Sequence, residues 1–224
     1  IDHVSVYYDG SYLKQEGTAG AAAGAFVLQG DRWLFAGAVS AHLPTPEFGS
    51  YTAEVRAALL ATKQAYDLVK IAAEVFGCQP SVTFFFDALS VGKQAEGLWQ
   101  VKKDKVSCHA VRSLLRIMHT RWQVCCNHVF VPGHSGDPGN ELVDTIAQCA
   151  AHGFSLQDWS TIFCMLTNWH FVQALSWGWV FQHPSFGKYW SDSTLHLPAK
   201  PQTTPEPHTV GSTASYGRSE ERRV

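Results

Sequence analysis

Four carboxylates in this chain are placed where they could gather metal ions, and one histidine stands near the last of them in sequence. Asp9 closes the run HVSVYYDGS at 3–11, Asp87 follows SVTFFF at 81–86, Glu54 lies one turn inside a long helical pattern, and Asp144 lies one turn inside a shorter one. His134 stands in a Gly- and Pro-rich loop shortly before Asp144. Taken singly, each has a plainer explanation. An Asp before Gly is more often a turn residue, a Glu near a helix start is stabilised by the helix N-terminus, and a lone loop histidine is seldom catalytic. Together they pose an electrostatic problem. Carboxylates within a few ångströms raise one another's pKa and stay ionised only if divalent cations fill the cluster. Hard oxygen ligands select Mg²⁺, with Mn²⁺ as a substitute. Two such ions, about 4 Å apart, form a clamp for in-line attack at a phosphodiester.

The elements that must position these groups can be read from periodicity. Val4, Val6 and Tyr8 alternate with other residues as in a strand. After an Ala- and Gly-rich segment, AFVLQ at 25–29 and RWLFAGAVS at 32–40 flank Gly30-Asp31 and read as a hairpin, so the first three strands form an antiparallel meander. Ser50 reads as the N-cap of a helix over 50–76, in which Ala58, Ala61, Ala65, Leu68, Ala72 and Val75 recur at spacings of three and four. Small residues let this helix lie close on a sheet, and Glu54 falls on the same stripe. The apolar run 81–86 suits a strand covered on both faces. Parallel to the first strand, it sets Asp9 and Asp87 at the carboxyl edge of the sheet, where open α/β sheets bind ligands.

Residues 102–121 are locally basic, with Lys102, Lys103, Lys105, Arg112, Arg116 and Arg121 against Asp104 alone. Val111, Leu114, Leu115 and Met118 give that stretch a helical apolar face. Such a run is usually a solvated face, but here it is the only basic cluster of the folded region. A fifth strand is expected over 124–131. Asp137-Pro138 then reads as cap and first position of a helix to about residue 152, burying Leu142, Ile146, Ala147 and Ala150. Asp144 beside that face would be costly unless something cationic meets it. The expected fold is α/β, with a five-stranded mixed sheet of three antiparallel and then two parallel strands, flanked by helices.

The bulk properties narrow the class. With 224 residues, 46% hydrophobic and 16% charged, the chain can bury a core. A net charge of −2 excludes a global basic field, so any nucleic-acid contact must use a local patch. Six cysteines without a CxxC pair fit reduced thiols, hence an intracellular setting, cytoplasmic or nuclear. The chain starts at Ile1, directly before a strand and without a signal peptide, and is expected to be a piece of a longer polypeptide. Residues 1–153 read as one catalytic domain. Residues 154–197 read as a Trp-rich, helical appendage, too interrupted by polar residues to span a membrane. Residues 198–224, rich in Pro, Thr, Ser and charge, read as a disordered tail or linker.

Order and motifs over about residues 3–152 resemble the ribonuclease H family of the cellular and retroelement type. Tyr8-Asp9-Gly10-Ser11 resembles its first-strand motif, Thr52-Ala53-Glu54 with Ala57 and Ala58 its first-helix motif, and Phe86-Asp87 its fourth-strand motif. Gly133-His134-Ser135-Gly136 through Asn140-Glu141-Leu142-Val143-Asp144 resembles its histidine loop and last helix, most of all those of non-LTR retrotransposon polyproteins. The resemblance implies a ribonuclease H fold and an enzyme that hydrolyses the RNA strand of RNA/DNA hybrids with two Mg²⁺ ions. Asp9 would bridge both ions, Glu54 and Asp87 would complete one site and Asp144 the other, and His134 would shuttle protons or help release product. Gly10, Ser11 and Ser50 would meet substrate, and Lys102, Lys103, Lys105, Arg112 and Arg116 would hold DNA phosphates. Where the family carries Asn before the helix Glu and Gln after the strand Asp, this chain has Ser50, Tyr51 and Leu89. It also implies a parent polypeptide that includes a reverse transcriptase. Two rival readings stay open: an inactive ribonuclease H-like domain kept for nucleic-acid binding or architecture in a retroelement polyprotein, and a related nuclease acting on DNA.

Overall fold

The computed structural model describes residues 1–154 apart from Asp31 and Gly136. The expected appendage and tail therefore lie outside the described residues, save Phe154. Strands β1 (His3–Leu13), β2 (Thr18–Gln29) and β3 (Arg32–Leu43) are followed by helix α1 (Ser50–Val75) and strand β4 (Ser81–Phe86). Helices α2 (Leu89–Ala95) and α3 (Lys105–Trp122), strand β5 (Cys126–Phe130) and helix α4 (Pro138–Ala151) complete the order. The sheet runs β3-β2-β1-β4-β5. β1–β2 and β2–β3 are antiparallel, β1–β4 and β4–β5 parallel, as expected from the sequence.

Helices cover both faces of β1 and β2, and the strands are built for it. On one face Ala21, Ala23, Ala25 and Val27 join Val4, Val6 and Tyr8 in a core with Ala57, Ala58, Ala61 and Ala65 of α1. On the other, a Cβ at Gly20 would come within 2.0 Å of the Ala147 carbonyl oxygen of α4. This explains a difference from the sequence reading, which began the second strand at residue 25. Alanine and glycine are poor strand formers by propensity, yet here only tiny side chains admit a helix backbone onto each face. α3 packs on α1, with the Tyr66 and Trp122 rings 5.3 Å apart and Arg121 bonded to Glu74 at 2.8 Å.

Three further boundaries differ from expectation. α1 begins at Ser50, but Gly49 occupies the cap position with φ 59°, and Thr52 Oγ1 accepts from the Phe48 amide. The basic helix begins at Lys105 because Asp104 caps it, accepting from the Ser107 amide, which leaves Lys102 and Lys103 in a loop. Helix α2 had no periodic signal: it has seven residues, and its Gly92 is required because a Cβ would meet the Phe86 ring at 2.1 Å.

Candidate metal centre

The site is assembled by the sheet register. β1 and β4 pair in parallel up to Tyr7↔Phe85, and Asp9 and Asp87 each stand two residues further on. They are therefore neighbours at the carboxyl edge. Gly10 brings in the third group. A Cβ there would lie 2.4 Å from both the Ala53 carbonyl carbon and the Glu54 nitrogen, so the absence of a side chain lets the first turn of α1 touch β1. Carboxylate oxygens of Asp9, Glu54 and Asp87 fall within 4.8 Å of one another. Gly10 thus shapes the site from the backbone: its amide donates to Asp9 Oδ1 at 2.8 Å and also meets Glu54.

Asp144 projects from the second turn of α4. Its carboxylate groups with His134 and Glu141, a ring nitrogen of His134 and one oxygen of each acid all lying within 4.8 Å of one another, and His134 Nδ1 lies 3.6 Å from Asp144 Oδ2. His134 is exposed and holds a left-handed φ of 53° in the loop before α4. Asp137 caps that helix, accepting from the Gly139 and Asn140 amides at 2.9 and 3.0 Å. The spread of four carboxylates over the chain thus converges on one edge, with Asp144 at its margin.

Burial makes this arrangement expensive. Asp9 is only 6% exposed. Burial first, then Glu54, Asp87 and Asp144, push its pKa well above the usual carboxylate range. Glu54 is raised by burial and by Asp87, and Asp87 by burial and by Asp144, the latter opposed by a hydrogen bond from the Asn140 side chain. Among the described residues no Lys or Arg forms an ion pair with Asp9, Glu54 or Asp87. Glu54 Oε2 is buried with no hydrogen-bond partner there. A buried carboxylate oxygen with no hydrogen-bond partner beside two like charges suits a cation, and an all-oxygen donor set suits a hard divalent ion. The residues fit such a metal.

The remaining site residues expected from sequence fall at different distances from this edge. Ser11 is half-buried on β1, and Ser50 is exposed at the start of α1. Lys102, Lys103, Lys105 and Arg116 are exposed, and the Lys103 ammonium sits 5.6 Å over the Phe48 ring. Arg112 is turned inward, giving hydrogen bonds to the Gln94 and Trp99 carbonyls. Two buried residues beside the site had been assigned no role. Asn140, 2% exposed, joins α4 to Asp87, and Glu141, 3% exposed, lies beside Asp144 and His134. The i, i+3 spacing of Glu141 and Asp144 was the available signal, since it sets them on one helix face.

Comparison with known proteins agrees with this fold. No curated protein matches the sequence. Among solved structures, the chain is similar to the N-terminal RNase H domain of Rv2228c from Mycobacterium tuberculosis, solved as a fusion with maltose-binding protein. The identity is 17% and the TM-score 0.50, covering 68% of this chain and 96% of that one. It is similar also to LC11-RNase H1, isolated from compost by a metagenomic approach, at 19% identity and TM-score 0.50, covering 68% of this chain and 98% of that one. These likenesses are of fold. The RNase H family model matches residues 2–152, which takes in the nine elements of the described residues and every carboxylate of the cluster, and the chain belongs to the RNase H family.

Proposed function

We propose that the domain hydrolyses the RNA strand of RNA/DNA hybrids with two Mg²⁺ ions, Mn²⁺ substituting. The observation that carries this reading is the orphaned Glu54 Oε2 among Asp9 and Asp87 at the sheet edge. Asp9, Glu54 and Asp87 would hold one ion, and Asp9 with Asp144 the other. Bound there, the ions would activate water and neutralise charge developing on the leaving 3′ oxygen.

The chain's own residues do the rest. Asn140 holds Asp87 in place from α4, and the Gly10 amide orients Asp9. His134 Nδ1, exposed and 3.6 Å from Asp144 Oδ2, can exchange a proton between the site and solvent. The exposed Ser50 hydroxyl can bond a 2′-hydroxyl, the group that marks RNA in a hybrid's minor groove. Exposed Leu89, two residues past Asp87, cannot. Lys102, Lys103, Lys105 and Arg116 supply exposed cations for DNA phosphates, so cutting should fall steeply with salt. The histidine-loop motif supports a place for the domain within a non-LTR retroelement polyprotein.

Labelled RNA/DNA hybrid, duplex DNA and single-stranded RNA, each with and without Mg²⁺ or Mn²⁺, test the proposal. Metal-dependent cutting confined to the RNA of the hybrid is expected. Hybrid bound but uncut across both metal titrations would instead mark an inactive binding domain, and cutting of duplex DNA would mark a DNA nuclease.

A further inference from the structure

We infer that Arg112 is a positioning residue which, with Tyr51, braces the loop between α2 and α3 so that Lys102 and Lys103 stand at a fixed place relative to Glu54. The inference rests on the nucleic-acid reading above and replaces a phosphate contact with a mechanical role.

Arg112 crosses from α3 to the end of α2. Its Nε and Nη2 donate to the Gln94 carbonyl at 2.9 and 2.7 Å, and Nη2 also donates to the Trp99 carbonyl at 3.0 Å. Gln94 is itself buried, and its Nε2 donates to the Gln100 carbonyl at 3.3 Å. On the other side of Gln94 stands Tyr51, whose hydroxyl donates to Gln94 Oε1 and lies 3.2 Å from the Lys103 carbonyl. The Cys108 thiol of α3 is 3.7 Å from the same hydroxyl. The amides of Leu98 and Trp99 both close on the Lys93 carbonyl, at 3.0 and 3.1 Å.

Loops ordinarily satisfy their carbonyls with water. Here the carbonyls of Trp99 and Gln100 are taken by side chains from α3 and α2, and the Tyr51 hydroxyl of α1 shares its one proton between Gln94 Oε1 and the Lys103 carbonyl. Tyr51 precedes Glu54 by three residues on α1, so one hydrogen bond and one helical turn separate the lysine loop from the carboxylate cluster. A guanidinium makes this fork and an ammonium cannot, because only the planar group presents adjacent donors in fixed directions. Arg112 thereby acts on substrate through the backbone that carries the lysines.

The test uses the full chain, hybrid cleavage in Mg²⁺ over a salt series, and amide hydrogen exchange. Arg112→Lys and Arg112→Ala should behave alike, raising KM for hybrid about five- to tenfold for the lost hydrogen bonds. Both should speed exchange of the amides at 97–103 and keep the wild-type salt slope. Tyr51→Phe should shift both readouts the same way, by about two- to threefold. The inference is overturned if Arg112→Lys restores wild-type KM and protection while Arg112→Ala lowers the salt slope by about one, the signature of a phosphate contact. Wild-type chain that leaves hybrid intact would refute the nuclease reading, and the exchange comparison would still decide the brace on its own.

Discussion

Asp9 is 6% exposed and shares its surroundings with two other carboxylates, whereas Lys102, Lys103 and Lys105 stand in solvent beside one another. Both are clusters of like charge in one domain, and they are held on opposite terms. Exposed lysines are screened by water and salt and cost the fold little. Carboxylates taken out of water lose solvation first and then repel one another with little screening, and both effects push Asp9, Glu54 and Asp87 upward. A metal-free fold gains nothing from such a cluster, so the buried one carries the chemical inference, and the exposed one is proposed only to tune affinity.

The sharpest way to break that contrast is Asp87→Asn. Mg²⁺-dependent cleavage should fall about a thousandfold or more, while circular dichroism shows a folded chain that melts no lower without metal, because a repelling charge is gone. Full activity in that variant would reject the assignment.

Gly10→Ala comes next, since its Cβ would have to displace the backbone of Ala53 and Glu54. A loss of about 2–3 kcal/mol in urea unfolding is expected from overpacking, with activity falling too. A neutral result would mean that α1 does not depend on this contact.

The pH dependence of the metal-free chain sharpens the contrast further. The folded pKa values of Asp9, Glu54 and Asp87 lie above their unfolded values, so the folded state binds protons more tightly. Their contribution to stability is then greatest below about pH 4, and is lost as pH rises through the raised folded values. Asp9→Asn should therefore melt several degrees above wild type at about pH 8, and by less at about pH 5. Mg²⁺ should raise the wild-type melting point at the higher pH and move the variant less. An equal gap at both pH values would contradict the cluster's electrostatics.

The smallest effects belong to the exposed cluster. Lys102→Ala and Lys103→Ala should each raise KM about threefold and reduce the salt slope by about one. Urea midpoints should stay at the wild-type value, in contrast to Gly10→Ala.

Much of this was legible in the chain. The alternation at Val4, Val6 and Tyr8, the alanine stripe of α1 and the Asp137-Pro138 start of α4 are local patterns, and each gave its element correctly. The strand over Thr18–Gln29 was half missed because its Ala and Gly residues are chosen by helices that pack from both sides, information that no local window contains. Helix α2 was missed because seven residues around a glycine show no period.

The site divides the same way. Residue types and their places at strand ends and one turn inside two helices named Asp9, Glu54, Asp87 and Asp144 from sequence, and the histidine-loop motif added His134. Only the folded chain shows that Gly10 admits α1 to β1, that Asn140 reaches Asp87 and that Glu141 joins His134 and Asp144. It also shows Arg112, counted among the surface cations, turned inward to the Gln94 and Trp99 carbonyls. Chemical identity and local periodicity are properties of the sequence. Which atoms meet is decided by long-range packing, because contacts between residues far apart in the chain exist only once the sheet register and both helices are in place.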